Sequence, residues 1–453
     1  MTRVLILTVG GSPDPILKAV DLHQPDEVIF ACSAPPCPSP SLEQVHGAGT
    51  PCRHIVDGEE EMRPNLVTQL ALRGFRPDLQ LIELPDPDDL HDCLSRLRSF
   101  LQTLPERFSQ LELCGDFTGG TKSMSTALAF ALLDQRVTLS VVSGPRENLV
   151  RIDRSEGLHV IDPIPFLAHR LLKDRLPSLL DAHLYGRARS LLIDFQRDQA
   201  DLLSEVQERC LKTLINRLQI LVLWDRFRWR EALDLAEHVQ LSNTWPELWN
   251  WWLRVEASLK WNPRVNPGVA ITGYEIVQDL LLNAERRGRR GWYDDAVARL
   301  YRAVELLAQT YIRLELGLAE SQPDWSQRDL MLSSGDVFPN TGVSGLYRWL
   351  QSHEAHRRKG NADQGLGSIY SHQWREMKQL FRARNHSLLG HGLRPINQAE
   401  WQSLQERTSN ILEALLRELK IDQGPPPCQM PRHLFLQQPE VAELLGIRPI
   451  SKP

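Results

Sequence analysis

The hydrophobic pattern of this chain changes character once, near residue 163, and that change limits the fold more than any other feature. Before it, short aliphatic or β-branched runs alternate with amphipathic stretches. Val4–Val9, Glu27–Ala31, Leu81–Leu84, Leu111–Cys114 and Val137–Val142 read as strands. Some hold unbroken apolar runs, as in Val4–Leu7 and Val28–Ala31, which strands covered on both faces tend to do. Asp14–Leu22, Leu90–Leu104 and Lys122–Leu133 read as the helices between them. This alternation predicts an α/β fold with a doubly wound, Rossmann-like parallel sheet. The proline-, glycine- and serine-rich stretch Pro35–Pro51 reads as an exposed loop. After Pro163 and Pro165 the pattern is helical almost throughout, so an all-α region follows the sheet.

At 453 residues the chain is too long for one ordinary core. We divide it into a sheet domain over 1–163, a helical scaffold over 164–273, a second helical domain over 274–424 and a tail over 425–453. Asn262–Gly268 supplies the inner boundary, and Pro425–Pro427 end the last helical block, which runs to about Ile421. Seven of the twelve tryptophans fall between Trp224 and Trp261, at irregular spacings that suit helix packing better than base stacking.

A net charge of −5 argues against a chain that coats nucleic acid nonspecifically, although a locally basic site is compatible with it. No apolar run approaches the roughly 20 residues of a membrane span. The start, MTRVLILTVGG, reads as a buried strand rather than a signal peptide. Seven scattered cysteines fit a reducing compartment, so the expected location is the cytoplasm. Cys32, Cys37, Cys52 and His54 lack metal-ligand spacing and read as ordinary side chains, and no metal or cofactor is expected.

Two glycine-rich turns sit where strands should end. Gly10, Gly11 and Ser12 follow the first strand, and Thr118, Gly119, Gly120, Thr121 and Lys122 lie between the Leu111–Cys114 strand and a helix. In open α/β sheets ligands bind beyond the carboxyl ends of the strands, and a following helix offers free N–H groups to an anion. With Thr118, Thr121, Ser123 and Lys122 the constellation suits phosphate or ribose. Neither turn has Walker A or GxGxxG spacing. The residues alone are equally compatible with two tight turns that hold no ligand.

The most informative segment is Trp374–His391, WREMKQLFRARNHSLLGH. On a helical wheel Trp374, Met377, Leu380, Phe381, Arg384, Leu388 and His391 share one face. An arginine and a histidine thus hold positions that a core helix would give to leucine. Burying them unpaired is costly, so the face should meet a polar partner, a cleft or another subunit. From His353 to Arg394 there are eight Lys or Arg residues, including Arg358 and Lys359, against Glu354, Asp363 and Glu376, which suits a phosphate-bearing substrate. RNA can be cut without a metal when its own 2′-hydroxyl attacks the adjacent phosphorus. Arg384 could grip the phosphoryl oxygens and His391 could handle protons, with Asn385 and Ser387 orienting them.

Six residues separate Arg384 and His391, and the string RNHSLLGHG resembles the HEPN ribonuclease motif. The stretch Trp292–Glu305, WYDDAVARLYRAVE, resembles the first long HEPN helix, and DFTGGTKSMS resembles the CARF domain. Together they resemble the CARF–HEPN ancillary ribonucleases of type III CRISPR systems. That resemblance implies a CARF-like nucleotide-sensing domain over 1–163 and a HEPN-like ribonuclease over 274–424. It implies a homodimer that binds cyclic oligoadenylate at Gly10–Ser12 and Thr118–Lys122, and a composite site with Arg384, Asn385 and His391 that cleaves single-stranded RNA in antiviral defence. Some members also degrade the activator in the CARF domain. Two readings compete with it: a nucleotide sensor whose helical domain only binds RNA or protein, and a metal-dependent nuclease. A clustered acidic motif is missing for the latter.

Overall fold

The computed structural model describes residues 1–56, 59–133, 135, 137–143, 146–147, 151–152, 157–260, 271–316, 342–357, 365–372, 374–418, 420 and 425–447. Asn262–Gly268, Arg358, Lys359, Asp363 and Ile421 lie outside them. The chain divides into two compact units, one of Met1–Arg170 with Gln199–Ser204 and one of Leu171–Asp198 with Glu205–Pro453. Among the described residues no helix is long and apolar enough to cross a membrane.

In the first unit β1 (Thr2–Thr8), β2 (Glu27–Ser33), β3 (Leu81–Leu84), β4 (Leu111–Asp116), β5 (Val137–Ser143) and β6 (Gly157–Ile161) make one sheet, ordered β6–β5–β4–β1–β2–β3. Neighbours from β5 to β3 run parallel. Alternation along β1 explains why its Val4–Leu7 run is apolar without a break. Val4 and Ile6 pack on one face with Leu97 of α2 (Leu90–Leu101) and Leu128 of α3 (Lys122–Leu133). Leu5 and Leu7 pack on the other with Ile16 of α1 (Asp14–His23). Asp89 caps α2, its carboxylate accepting from the amides of His91 and Asp92 at 2.8 and 3.1 Å.

Three features depart from the sequence reading. The sheet is mixed, because β6 lies antiparallel to β5 at the edge, and its Gly157 and His159 hide the strand pattern. Cys52–Val56 and Glu59–Arg63 form a separate antiparallel hairpin whose second strand, EEEMR, has no apolar face to announce it. The stretch Pro35–Pro51 is not wholly exposed. It contains the short helix Leu42–His46 with Val45 buried, pinned by reciprocal bonds in which Ser41 Oγ accepts from Ser33 N and Ser33 Oγ from Ser41 N.

The second unit is helical. α4 (Tyr185–Asp198), α5 (Glu205–Asp225), α6 (Pro246–Lys260) and α7 (Glu275–Arg289) precede the long α8 (Tyr293–Glu315), against which α9 (Trp374–His386) and α10 (Gln398–Glu418) pack. The tryptophans do fill the core: Trp224 and Trp252 are wholly buried and stack with centroids 4.1 Å apart. The tail is part of this unit. Tyr185 Oη donates to the carbonyl of Pro431 at 2.9 Å, Arg217 Nη1 meets Glu440 at 2.7 Å, and Phe435 is fully buried near Trp245.

One carboxylate organises the junction of α5, α7 and α8. Asp225, the last residue of α5, is buried and meets Arg286 Nε at 2.9 Å, Arg287 Nη2 at 3.3 Å and Arg290 Nη2 at 2.7 Å. Asn283 donates to its backbone carbonyl at 3.0 Å. Burial works to raise the Asp225 pKa, but Arg286, Arg290 and Arg287 together hold it below the usual carboxylate range. Removing one partner of a buried ion pair strands the others, so Asp225→Ala should cost about 3–5 kcal/mol. The first unit holds no tryptophan, so urea unfolding followed by tryptophan fluorescence reports on the second alone. A carboxylate with a depressed folded-state pKa stabilises fully above its unfolded value, about 3.9, and loses that contribution as pH falls through the folded value. The stability gap between wild type and Asp225→Asn should therefore be full at pH 7 and narrow below about pH 4.

Candidate functional site

The two glycine turns meet at the carboxyl ends of β1 and β4, adjacent strands between which the winding of the sheet reverses. Their contact is backbone on backbone. A Cβ at Gly10 would lie 2.6 Å from the amide nitrogen of Gly120, and one at Gly119 only 2.4 Å from the carbonyl of Thr8. Gly120 holds a φ of +80°, in the left-handed region that favours glycine. Thr8 Oγ1 closes the seam by donating to the carbonyl of Gly119 at 2.6 Å.

The hydroxyls read from the sequence are used to build the turn. Thr121 Oγ1 caps α3 by accepting from Met124 N at 3.2 Å and donates to the carbonyl of Pro87. Ser123 Oγ donates to the carbonyl of Asp88 at 2.8 Å, and Thr118 Oγ1 accepts from Val142 N at 2.7 Å. Gly11 and Lys122 stay exposed and Ser12 half-buried, so backbone groups and one ammonium face outward. Beneath the turns Ser140 Oγ donates to buried Asp116 at 2.9 Å and lies 2.8 Å from His23 Nε2, a pair sequence reading did not find. Burial holds Asp116 above the ordinary carboxylate range and His23 below the imidazole range.

In the second unit Arg384 and His391 come together, but not along one helical stripe. α9 ends at His386, and the chain folds back over its last turn. His391 N donates to the carbonyl of Asn385 at 3.0 Å, Gly392 N to Ser387 at 3.2 Å and Arg394 N to His386 at 2.9 Å. Gly390 and Gly392 make this possible: a Cβ at Gly390 would lie 1.9 Å from the Arg384 carbonyl oxygen, and one at Gly392 2.2 Å from that of His386. The fold-back sets Arg384 Nη1 3.2 Å from His391 Nε2 and 3.0 Å from Asn385 Oδ1. A guanidinium has donors only, so this contact makes Nε2 an acceptor.

The Arg384 guanidinium also lies 4.8 Å from the ring centroid of Tyr301 on α8, whose edge-on partner is Phe381. Tyr301 stood within the quoted helix string without being marked as part of the site. The polar pair is accessible: Arg384 is half-buried and His391 exposed. Ser387, in contrast, is buried, and its hydroxyl donates to the Arg384 carbonyl at 2.8 Å, fixing the turn. On the flank of the same helix end, Arg382, His386 and Arg394 line a cavity of about 390 Å³. Leu388, Leu389 and Leu393 project from the loop at 66%, 53% and 86% exposure, an apolar collar beside charged groups.

The crowding at the glycine seam gives a direct check. Gly119→Ala forces a Cβ against backbone, which should cost the first unit about 1–3 kcal/mol. Gly11→Ala meets nothing within 4 Å and should change stability by less than about 0.5 kcal/mol. Hydrogen exchange in peptides from β1 and β4 should quicken in the first variant and match wild type in the second.

The family described as the Csm6 HEPN domain matches residues 270–415, which span α7 to α10 and include Tyr301, Arg384 and His391. No curated protein matches the chain. Among solved structures, Enterococcus italicus Csm6 bound to cyclic hexa-2′-fluoro-hexa-dAMP is similar at 13% identity and a TM-score of 0.56, covering 99% of this chain and 100% of that one. Residues 270–415 thus match the Csm6 HEPN domain family, and the chain as a whole shares the fold of that Csm6 structure.

Proposed function

We propose that the protein is a cyclic-oligoadenylate-activated endoribonuclease of CRISPR antiviral defence, cutting single-stranded RNA without a metal. The observation that carries this reading is the 3.2 Å approach of Arg384 to His391 in a domain of the Csm6 HEPN family. In this reading residues 1–163 sense the activator, 164–273 are scaffold and 274–424 cut RNA. Gly10, Gly11, Ser12, Thr118, Gly119, Gly120, Thr121 and Lys122 form the sensor pocket.

Cleavage needs a base for the 2′-hydroxyl, charge neutralisation on phosphorus and an acid for the leaving group. The 2′-oxygen forms a bond to phosphorus as its proton leaves, and the bond to the 5′-oxygen breaks as that oxygen gains a proton. Arg384 turns from His391 to the phosphoryl oxygens, which its forked donors fit. The unprotonated Nε2 of His391 is then free to take or return a proton, and Asn385 steadies Arg384. A second copy of the chain pairs over the apolar collar of Leu388, Leu389 and Leu393 and brings two such pairs together.

Labelled single-stranded RNA incubated in EDTA with cyclic tetra-adenylate, cyclic hexa-adenylate or neither tests the reading. One ring should switch on cleavage, and His391→Ala should slow it at least about a hundredfold, the scale of lost general acid–base catalysis. Cleavage abolished by EDTA points instead to metal-dependent chemistry. RNA binding with no cleavage, unchanged in His391→Ala, leaves a sensor with a non-catalytic helical domain.

A further inference from the structure

A second cationic site lies in the helical unit, apart from the Arg384–His391 pair. A cavity of about 670 Å³ opens between the start of α4, the end of α5 and the turn from α7 to α8. That volume is within the range of small-molecule sites. Arg187, Arg189, Arg226, Arg228, Arg287 and Arg290 line it, and Asp225 is the single carboxylate among its lining residues. Asp225 is already shared between Arg286, Arg287 and Arg290. Arg228 is paired with Glu231. Among the described residues Arg187, Arg189 and Arg226 have no salt bridge, and the Nε atoms of Arg189 and Arg290 are buried without a hydrogen-bond partner.

The wall itself is built for polar contact. Arg290 has a side chain only 5% exposed and donates to Asp225 at 2.7 Å and to the His183 carbonyl at 2.6 Å. Burial above all, with the neighbouring Arg290 and Arg299 against the pull of Asp225 and Asp295, brings Arg287 down to about 10. His183 is wholly buried in the same wall. Its Nδ1 lies 2.8 Å from Tyr185 Oη, whose proton goes to the Pro431 carbonyl, so Nδ1 is the donor. Nε2 is left as an acceptor with no partner among the described residues. At the rim Trp292 is 49% exposed, with Arg287 and Arg290 each 5.5 Å from its ring.

We propose that this cavity is a ribonucleotide site, taking phosphate on its unpaired arginines and a base on the exposed face of Trp292. Unpaired guanidinium groups at a half-enclosed cavity match phosphate oxygens, and an exposed indole offers the π-face on which any base stacks. The ligand's phosphate could belong to an RNA strand or to a free nucleotide. The site does not depend on the nuclease reading, and neither does its test.

The full chain carrying Arg384→Ala and Lys122→Glu, which weaken the other two phosphate-binding candidates, is titrated calorimetrically with adenosine diphosphate, with pyrophosphate and with a 2′-O-methylated hexanucleotide that cannot be cleaved. Arg187→Glu with Arg226→Glu, both at exposed positions, should weaken one binding event by at least about tenfold, the scale of one lost charged hydrogen bond. Arg197→Glu, on α4 outside the cavity, should leave it unchanged. Trp292→Ala should weaken the diphosphate and the hexanucleotide but not pyrophosphate. Loss confined to the hexanucleotide assigns the site to a strand, and loss that includes the diphosphate assigns it to a free nucleotide. Equal affinities in parent and double variant, with matching tryptophan melting curves, or equal loss in Arg197→Glu, would overturn the proposal.

Discussion

The helical unit is organised around a negative charge that its surroundings outnumber. A buried carboxylate is tolerable only when its oxygens are filled by donors, and Asp225 has three guanidinium groups from one short stretch, Arg286 to Arg290. Those contacts tie the end of α5 to the end of α7 and to the turn that begins α8. The direction of α8 is therefore set where it starts, and its later turn presents Tyr301 to Arg384. Asp279, also buried, accepts from Trp224 Nε1 at 3.0 Å and joins the stacked tryptophans to the same junction. The tail completes the arrangement, since Gln429 accepts from Arg286 at 2.7 Å. The excess of cations at this junction leaves the adjoining cavity electropositive.

The two candidate sites rest on different physics. The glycine turns are defined by what is absent: without Cβ atoms at Gly10 and Gly119, two main chains meet at the sheet's switch point and turn backbone outward. The Arg384–His391 pair is defined by side chains, held by a fold-back that Gly390 and Gly392 permit. In one case glycine lets two main chains touch, and in the other it brings a histidine back to an arginine. The polar pair lies beside three exposed leucines, a surface that the proposed pairing of two chains would cover without burying an unpaired charge.

Much of this was legible in the sequence where one periodicity dominated. The central strands are apolar on both faces, and α3 begins and ends at Lys122 and Leu133 as read. The edge strand β6 and the EEEMR strand were not legible, because edge and hairpin strands lack a two-sided apolar signature. The helical wheel gave the right association of Arg384 with His391 for the wrong reason. Seven residues are two turns on a continuous helix, but the main chain leaves the helix at His386 and returns His391 by a tight loop. The glycines of LLGHG were the available sign of that loop. The arginine cavity was invisible, since its arginines come from three segments more than thirty positions apart and carry no motif.

The central claim is that ligand at the glycine turns governs chemistry at Arg384 and His391, and one paired measurement tests it most directly. Cyclic-oligoadenylate binding and single-turnover RNA cleavage would be followed together in wild type, Lys122→Glu and His391→Ala. The account predicts a double dissociation: Lys122→Glu binds the ring weakly but cleaves at the wild-type rate once saturated, whereas His391→Ala binds the ring normally and does not cleave. If His391→Ala cleaved like wild type, or if ring occupancy had no effect on cleavage in any of the three proteins, the account would be contradicted.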